Sequence, residues 1–160
     1  MQNRCQPDIS ALGPQVGAAV IAAVPKRKAT AVEESSIDDA QVRAEVQAAF
    51  DTYEAALVAN DVATLDEFFW RDPRAVRFGP DGPAYGHAAI AAFRAGRTVG
   101  DLARSLERVT ITSFGPDVAV ALAEYRRTGS GRRGRQSQTW VRFAAGWRIV
   151  AAHVSLEPPA

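Results

Sequence analysis

Three residues of this chain have side chains suited to acid–base chemistry or to anion binding, namely Tyr53, Arg77 and His153. Tyr53 is the one polar-tipped residue on an otherwise apolar helix face. Its hydroxyl either bonds a backbone carbonyl in the core or donates a proton to a reacting atom. Arg77 alternates with apolar neighbours in a short strand, so its planar guanidinium either clamps a carboxylate or faces solvent. His153, near the end of a late strand, suits acid–base work or is satisfied by a neighbouring hydroxyl.

The last two strand-like runs of the chain carry polar residues where a sheet is usually apolar. If Gly146 takes the left-handed position of a three-residue hairpin loop, Phe143 pairs with Trp147 and Ser137 pairs with His153. One face of the hairpin then changes from apolar at the turn to polar at its far end. This gradient predicts a cavity whose inner end is apolar and excludes water. We predict four pocket residues in the hairpin: Ser137, Thr139, Trp140 and His153.

The assignment of the two faces depends on the register of this hairpin. In the register above, Gln136 and Gln138 lie on the opposite face to His153. Because successive side chains of a strand point to opposite sides, a slip of one residue would exchange the faces. Either set of polar side chains is therefore able to line the cavity.

The spacing of apolar residues predicts the helices that position Tyr53. Helix N-cap residues at 35–38 precede a pattern in which apolar side chains recur every three or four positions as far as Asn60. A second, short helix begins at Asn60 or Asp61 and is broken by Pro73. The two helices form a hairpin. The residues that share the buried face of the first helix are Val42, Val46, Ala49, Phe50, Tyr53 and Leu57.

Arg77 is predicted to lie in a strand over 74–78, followed by a turn-rich loop over 79–83 and a third helix over 87–97. Two further strands, 106–114 and 118–127, precede the closing hairpin. Three helices grouped before a curved, mainly antiparallel sheet indicate an α+β domain. We expect one such domain over 36–157 and a disordered or mis-started extension over 1–35.

Composition excludes several classes of function. The 160 residues include 19 basic and 18 acidic side chains, so the net field favours neither nucleic acid nor a membrane surface. One cysteine and two histidines provide neither an internal disulfide nor a cysteine–histidine zinc site. The sequence contains no phosphate loop, dinucleotide fingerprint or nucleophile elbow. We expect a cytoplasmic protein that uses no cofactor and no metal, and whose partner is a small anionic substrate.

An arginine-rich segment occupies 126–135. It has no aromatic residues between its arginines, whereas stacking aromatics are common in segments that bind nucleic acid. We interpret it as a flexible hairpin loop or as a positive rim that attracts a small anionic substrate. Arg94 and Arg97 of the third helix are able to join this rim.

The sequence around these residues resembles the AtzH-like family. The family belongs to the SnoaL-like and nuclear-transport-factor-2-like superfamily, so the resemblance implies a cone-shaped α+β fold. It covers residues 38–156 and is carried by the stretches 50–57, 60–61, 69–70, 76–79, 85–86, 129–132, 134–142 and 146–155, with Ile90, Phe93, Arg94 and Arg97.

The resemblance also implies an activity. It is that of a decarboxylating amidohydrolase of cyanuric acid catabolism, which removes one carboxylate from 1,3-dicarboxyurea to give urea-1-carboxylate (allophanate). The catalytic tyrosine and arginine proposed for the family fall on Tyr53 and Arg77. Because cone folds also host non-catalytic binders, the alternative is a ligand-binding or accessory module of the same fold. We expect a homo-oligomer, a dimer or larger, because open cone folds often cover their sheet by pairing.

Overall fold

The computed structural model of the chain describes residues 31–158. The extension predicted over 1–35 therefore lies outside the described residues except at its end, where a 3₁₀ turn begins at Glu34. After this turn (Glu34–Ser36) the elements are, in chain order, α1 (Ala40–Ala59), α2 (Val62–Phe68), β1 (Val76–Gly79), β2 (Gly82–Tyr85), α3 (His87–Gly96), β3 (Arg104–Ser113), β4 (Val118–Arg127), β5 (Arg133–Phe143) and β6 (Gly146–Leu156).

Helix α1 begins and ends at residues that satisfy its free backbone groups. The Asp39 carboxylate accepts hydrogen bonds from the backbone N–H groups of Gln41 (3.0 Å) and Val42 (2.9 Å). At the other end Asn60 adopts φ 54 and ψ 34, the left-handed conformation that ends many helices. The buried face between them carries Val42, Val46, Phe50, Tyr53, Glu54, Ala56 and Leu57.

The strands form a single sheet in the order β2-β1-β6-β5-β4-β3. Neighbouring strands are antiparallel except β1 and β6, which are parallel. The helices pack against one face, so alternate strand residues are buried beneath them. The predicted α+β class is confirmed. The core includes Val46, Phe50, Leu65, Phe69, Ile90, Trp140 and Ile149, all fully buried.

The closing hairpin differs from its prediction near the turn. Ser137 pairs with His153 as predicted, but a bulge at Thr139 and Trp140 shifts the pairing that follows. Phe143 consequently pairs with Gly146 rather than with Trp147, and the turn contains only two residues. The prediction of a three-residue loop was wrong because a bulge adds one residue inside the strand. The spacing of apolar residues alone does not reveal such a bulge.

Strand β2 was not predicted, because its sequence is rich in turn-forming residues. Gly79 pairs with Gly82, so the predicted loop over 79–83 is a tight turn at the end of a short hairpin. Pro83 lies within β2, which a sheet tolerates because β2 is its edge strand.

Within residues 31–158, no helix combines the length and the apolar character needed to cross a membrane. The same part of the chain brings together no group of three or more His, Cys, Asp or Glu side chains that would hold a metal ion.

Candidate functional site

Arg77 lies on the inner face of the sheet, in a row that crosses four neighbouring strands. Gln138 of β5 pairs with Ala152 of β6, Ala152 pairs with Arg77 of β1, and Arg77 pairs with Ala84 of β2. Paired residues of neighbouring strands point to the same face. Because Ala152 and Ala84 are small, the two long polar side chains have space beside them above the sheet.

The Arg77 guanidinium is enclosed on two sides. Its central carbon lies 4.1 Å from the centroid of the Phe93 ring of α3. Gly79 also packs closely against the guanidinium, because a Cβ atom at that position would lie 2.6 Å from Nη1 of Arg77. Nη1 itself is buried and has no hydrogen-bond partner in the described part of the chain. Arg77 therefore offers a desolvated donor that a bound anion would satisfy.

The surroundings of Arg77 disfavour its charged form. Burial lowers the pKa of this guanidinium, and the neighbouring cation Arg94 acts in the same direction, while Tyr53 and Asp81 oppose them. Arginine stays protonated at neutral pH despite such a shift. The cost of burying this charge is what an incoming carboxylate would offset.

Tyr53 projects from α1 into an aromatic cluster. Only 5% of it is exposed, and its ring makes edge-to-face contacts with Phe68 (centroids 6.0 Å apart) and Trp140 (6.3 Å). Its hydroxyl oxygen lies 3.5 Å from Nη2 of Arg94, which donates to it weakly. The hydroxyl hydrogen is not used in that contact and is available to another acceptor.

Arg94 is buried in the site, whereas the sequence analysis had considered it able to join a positive rim at the surface. It is 3% exposed, and its Nη1 donates to the Asp66 carboxylate at 2.8 Å. Its guanidinium also lies 4.6 Å from the centroid of the Phe69 ring. The carboxylate balances the charge of Arg94, whereas Arg77 has no carboxylate within salt-bridge distance among residues 31–158.

Gln138 contributes a second donor to the interior. The indole N–H of Trp140 donates to Oε1 of Gln138 at 3.2 Å, which orients the amide. Its Nε2 atom is buried and finds no acceptor among the residues the structure describes. Gln138 is 1% exposed and lies in the same row as Arg77. Two donors without hydrogen-bond partners among the described residues, the cationic Nη1 of Arg77 and the neutral Nε2 of Gln138, therefore lie in the same row of the sheet.

Ser137, Thr139 and His153 lie on the opposite face of the sheet, so the structure does not bring them together with Tyr53 and Arg77; Ser137 and His153 line a separate depression on that outer face. The buried residues of β5 are Gly134, Gln136, Gln138 and Trp140, and their neighbours point away from the helices. His153, paired with Ser137, is exposed and contacts the Phe78 ring. The register at this end was correct, but the polar face is the outer one. Trp140, the fourth predicted pocket residue, contacts Tyr53 inside.

A cavity of about 780 Å³ opens beside Arg77. Its positive lining comes from Arg77, Arg97, Arg127 and Arg132, and the carboxylates that line it are Asp81 and Asp101. The arginine-rich segment therefore contributes to the cavity wall through two of its members. The attraction of a small anionic substrate by these arginines stays a prediction.

A buried ionic network lies behind the site and was not predicted. Nε of Arg104 donates to Glu54 at 2.9 Å, and Nε2 of Gln136 donates to the same carboxylate at 3.0 Å. The Arg104 guanidinium also lies 4.2 Å from the centroid of the Tyr125 ring. The signal that could have revealed Glu54 is its spacing, four residues after Phe50, which places it on the buried face of α1.

A curved sheet that covers a long helix, with polar side chains converging at one end of the interior, is the architecture of the nuclear-transport-factor-2-like (cystatin-like) class. A protein of that superfamily from Salmonella enterica serovar Typhimurium LT2 superposes with a TM-score of 0.60 at 27% identity. The match covers 75% of this chain and 92% of that one.

Within this class, the AtzH-like family model matches residues 35–159, and the chain belongs to the AtzH-like family. A protein of unknown function from the DUF3225 family of Pectobacterium atrosepticum is 50% identical, with a TM-score of 0.77 over 79% of this chain and 99% of that one. A cystatin-like fold protein from Burkholderia xenovorans LB400 is 41% identical, with a TM-score of 0.72 over 76% and 98%. No curated protein matches the sequence. The family and superfamily indicated by the sequence are confirmed.

Proposed function

We propose that the chain is an enzyme that removes carbon dioxide from a small N-carboxylated urea, with 1,3-dicarboxyurea as substrate and urea-1-carboxylate as product. The observation that carries this proposal is the buried, unpartnered Nη1 of Arg77. Tyr53 is among the groups that raise the pKa of this guanidinium. The reaction needs an anion clamp and a proton donor, and these side chains have those properties. Membership of the AtzH-like family supports the same reaction.

Arg77 is proposed to hold one carboxylate of the substrate. A guanidinium presents parallel N–H groups that match the two oxygens of a carboxylate, so it fixes position and orientation together. Phe93 covers one face of the guanidinium and restricts its movement. An anion bound there also offsets the cost of burying an unpaired charge, which gives the site affinity for the charged form of the substrate.

Tyr53 is proposed to supply the proton. The bond between a urea nitrogen and the leaving carboxylate carbon breaks, the carbon departs as carbon dioxide, and the electron pair stays on nitrogen. The phenolic proton of Tyr53 moves to that nitrogen, and solvent later restores it. Arg94, 3.5 Å from the phenolic oxygen, stabilises the negative charge that develops there. Asp66 holds Arg94 in place through the 2.8 Å ion pair.

Gln138 is proposed to orient the urea. Its Nε2 is a neutral donor, which suits a carbonyl oxygen better than a second cation would, because the carbonyl carries no full charge. Gln138 and Arg77 belong to one row of paired residues through Ala152, which supports a proposal in which both side chains contact one ligand. A planar ligand with a carbonyl beside a carboxylate fits that order of donors.

The test is release of carbon dioxide from freshly prepared dicarboxyurea by the full chain, in parallel with Arg77→Gln. The matched control is Arg108→Gln, because Arg108 borders a depression on the outer face with His153. We expect the wild-type chain and the control to accelerate release equally, and Arg77→Gln to approach the spontaneous rate. A wild-type chain that binds dicarboxyurea without accelerating its breakdown would instead favour the accessory-module alternative.

A further inference from the structure

Arg97 enters the cavity from the end of α3 and is held by the end of α1. Its Nε and Nη2 donate to Oδ1 of Asn60 at 3.2 and 2.7 Å. Asn60 is also the left-handed residue that ends α1, and its backbone N–H donates to Ala56 and Leu57. One residue therefore terminates a helix and orients an arginine contributed by another helix.

The charge of Arg97 is not balanced by the protein. Asn60 is a neutral acceptor, and no carboxylate in the described part of the chain lies within salt-bridge distance of Arg97. Burial lowers the pKa of Arg97, and the cations Arg94, Arg77 and Arg127 act in the same direction. Arg77 faces the same cavity and is likewise unpaired.

Neither carboxylate that borders the cavity forms a salt bridge with Arg77 or Arg97 in the described part of the chain, although Asp81 acts to raise the pKa of Arg77. Asp101 accepts hydrogen bonds from the Ser130 hydroxyl at 2.7 Å and from the Gly129 backbone N–H at 3.2 Å. The hydrogen bond from Ser130 contributes most to lowering the pKa of Asp101, and the bond from Gly129 acts in the same direction. Asp101 is therefore held as an acceptor by the 129–130 turn. Four guanidinium groups line the cavity, and those of Arg127 and Arg132 donate to backbone carbonyl oxygens. Those of Arg77 and Arg97 have no carboxylate partner among residues 31–158, so they form a site for two negative charges.

We propose that Arg97, positioned by Asn60, binds a second anionic group and makes the cavity selective for small ligands with two carboxylates over ligands with one. The inference rests on the proposed function only for the identity of the natural substrate, a dicarboxylated urea. Arg77 holds one carboxylate and Arg97 the other. The selectivity arises because a ligand with a single carboxylate leaves one of the two partly buried cations unpaired.

The inference is tested by binding rather than by turnover. Isothermal titration of the full chain with malonate, which carries two carboxylates, is compared with titration with acetate, which carries one. A charge-assisted hydrogen bond contributes a factor of about 10 to 100 in affinity, so we expect wild type to bind malonate more tightly than acetate by about that factor. Arg97→Gln should bring the ratio close to unity, and the outer-face control Arg108→Gln should leave it unchanged.

Asn60→Gly separates the two roles of Asn60. Glycine adopts the left-handed conformation readily, so α1 still ends correctly and the thermal midpoint should change little. The malonate-to-acetate ratio should nevertheless fall, because Arg97 loses the acceptor that orients it. An unchanged malonate-to-acetate ratio in Asn60→Gly would contradict the positioning role of Asn60.

The possible outcomes distinguish this inference from the proposed function. Malonate selectivity that depends on Arg97, in a chain that does not release carbon dioxide from dicarboxyurea, supports the inference and contradicts the reaction. Carbon dioxide release with an unchanged ratio in Arg97→Gln supports the reaction and overturns the inference. A wild-type chain that shows no preference for malonate also overturns it.

Discussion

The hydroxyl oxygen of Tyr53 lies 3.5 Å from Nη2 of Arg94, a residue 41 positions further along the chain. This contact joins α1 to α3, and the ion pair of Arg94 with Asp66 adds α2 to the same junction. In the proposed function the unused hydroxyl proton of Tyr53 is the one that the substrate receives. The relationship leads to a direct test of the tyrosine.

Tyr53→Phe should retain the fold and lose most of the turnover. The substitution keeps the ring contacts with Phe68 and Trp140 and removes only the hydroxyl. General acid catalysis contributes about 100- to 10,000-fold, and we expect a decrease in kcat of that size. The rate of carbon dioxide release measures it, and Tyr85→Phe, at a tyrosine that is 65% exposed, is the matched control. A kcat within a factor of two of wild type would exclude Tyr53 as the proton donor.

Gly79→Ala should weaken substrate binding with little effect on stability. The new methyl group would lie 2.6 Å from Nη1 of Arg77, so the guanidinium must move. Because that group is the far end of a flexible side chain, the structural cost is small, but a displaced clamp lowers kcat/KM by about 100-fold. Thermal unfolding and steady-state kinetics together check this. Unchanged kinetics would mean that the clamp tolerates displacement.

His153→Asn should change neither the rate nor its dependence on pH. His153 is exposed on the outer face, where its ring packs edge-to-face against Phe78, and the sheet separates it from Tyr53. The measurement is kcat/KM between pH 5 and 9 for wild type and variant. A displaced pH profile would show that the outer face influences the chemistry, against the placement described above.

Glu54→Gln should destabilise the fold strongly. The substitution leaves Arg104, whose side chain is 2% exposed, as an unpaired buried cation. Breaking a buried ion pair in this way costs about 3 to 5 kcal/mol. Urea denaturation gives the change in the free energy of unfolding.

The double variant Glu54→Gln with Arg104→Met provides the control for that prediction. It removes both charges and should be less destabilised than Glu54→Gln alone, since no buried charge then lacks a partner. If the two substitutions had additive effects, the pair would not be coupled.

Asp72→Asn should make the stability of the fold less dependent on pH in the acidic range. The Asp72 carboxylate accepts from the Nε and backbone N–H groups of Arg74 at 2.8 and 2.9 Å. These contacts lower the pKa of Asp72 from 3.8 to about 2, and the hydrogen bonds from the Arg74 side chain contribute most. Its contribution is therefore complete above pH 3.8 and is lost as the pH falls towards 2.

The expected result is a smaller loss of stability for Asp72→Asn than for wild type across that pH window, together with a lower stability at neutral pH. Thermal midpoints measured at intervals of pH check both. Glu34→Gln, at an exposed residue of the 3₁₀ turn, serves as the control for removing one carboxylate. Parallel acid profiles for wild type and Asp72→Asn would contradict the assignment.

Much of the fold was predictable because its signals are local. The buried face of α1 follows from residues three and four apart, and its end follows from Asn60, whose side chain tolerates a positive φ. Strand β4 occupies the predicted residues. Strand β2 was missed because glycine and proline indicate a turn, and only pairing with β1 makes this segment a strand.

The sequence alone determined that the chain forms an α+β domain, that Tyr53 lies on a buried helix face, and that Ser137 pairs with His153. These features depend on the periodicity of side chains close together in the chain. Only the tertiary structure decided which face of the hairpin is covered. Both faces carry polar side chains in the same alternating pattern, so the sequence does not distinguish them, and the helices cover only one. It also decided that Arg94 is paired with Asp66 while Arg77 and Arg97 have no carboxylate partner among the described residues. Charge balance depends on groups distant in sequence that folding brings together.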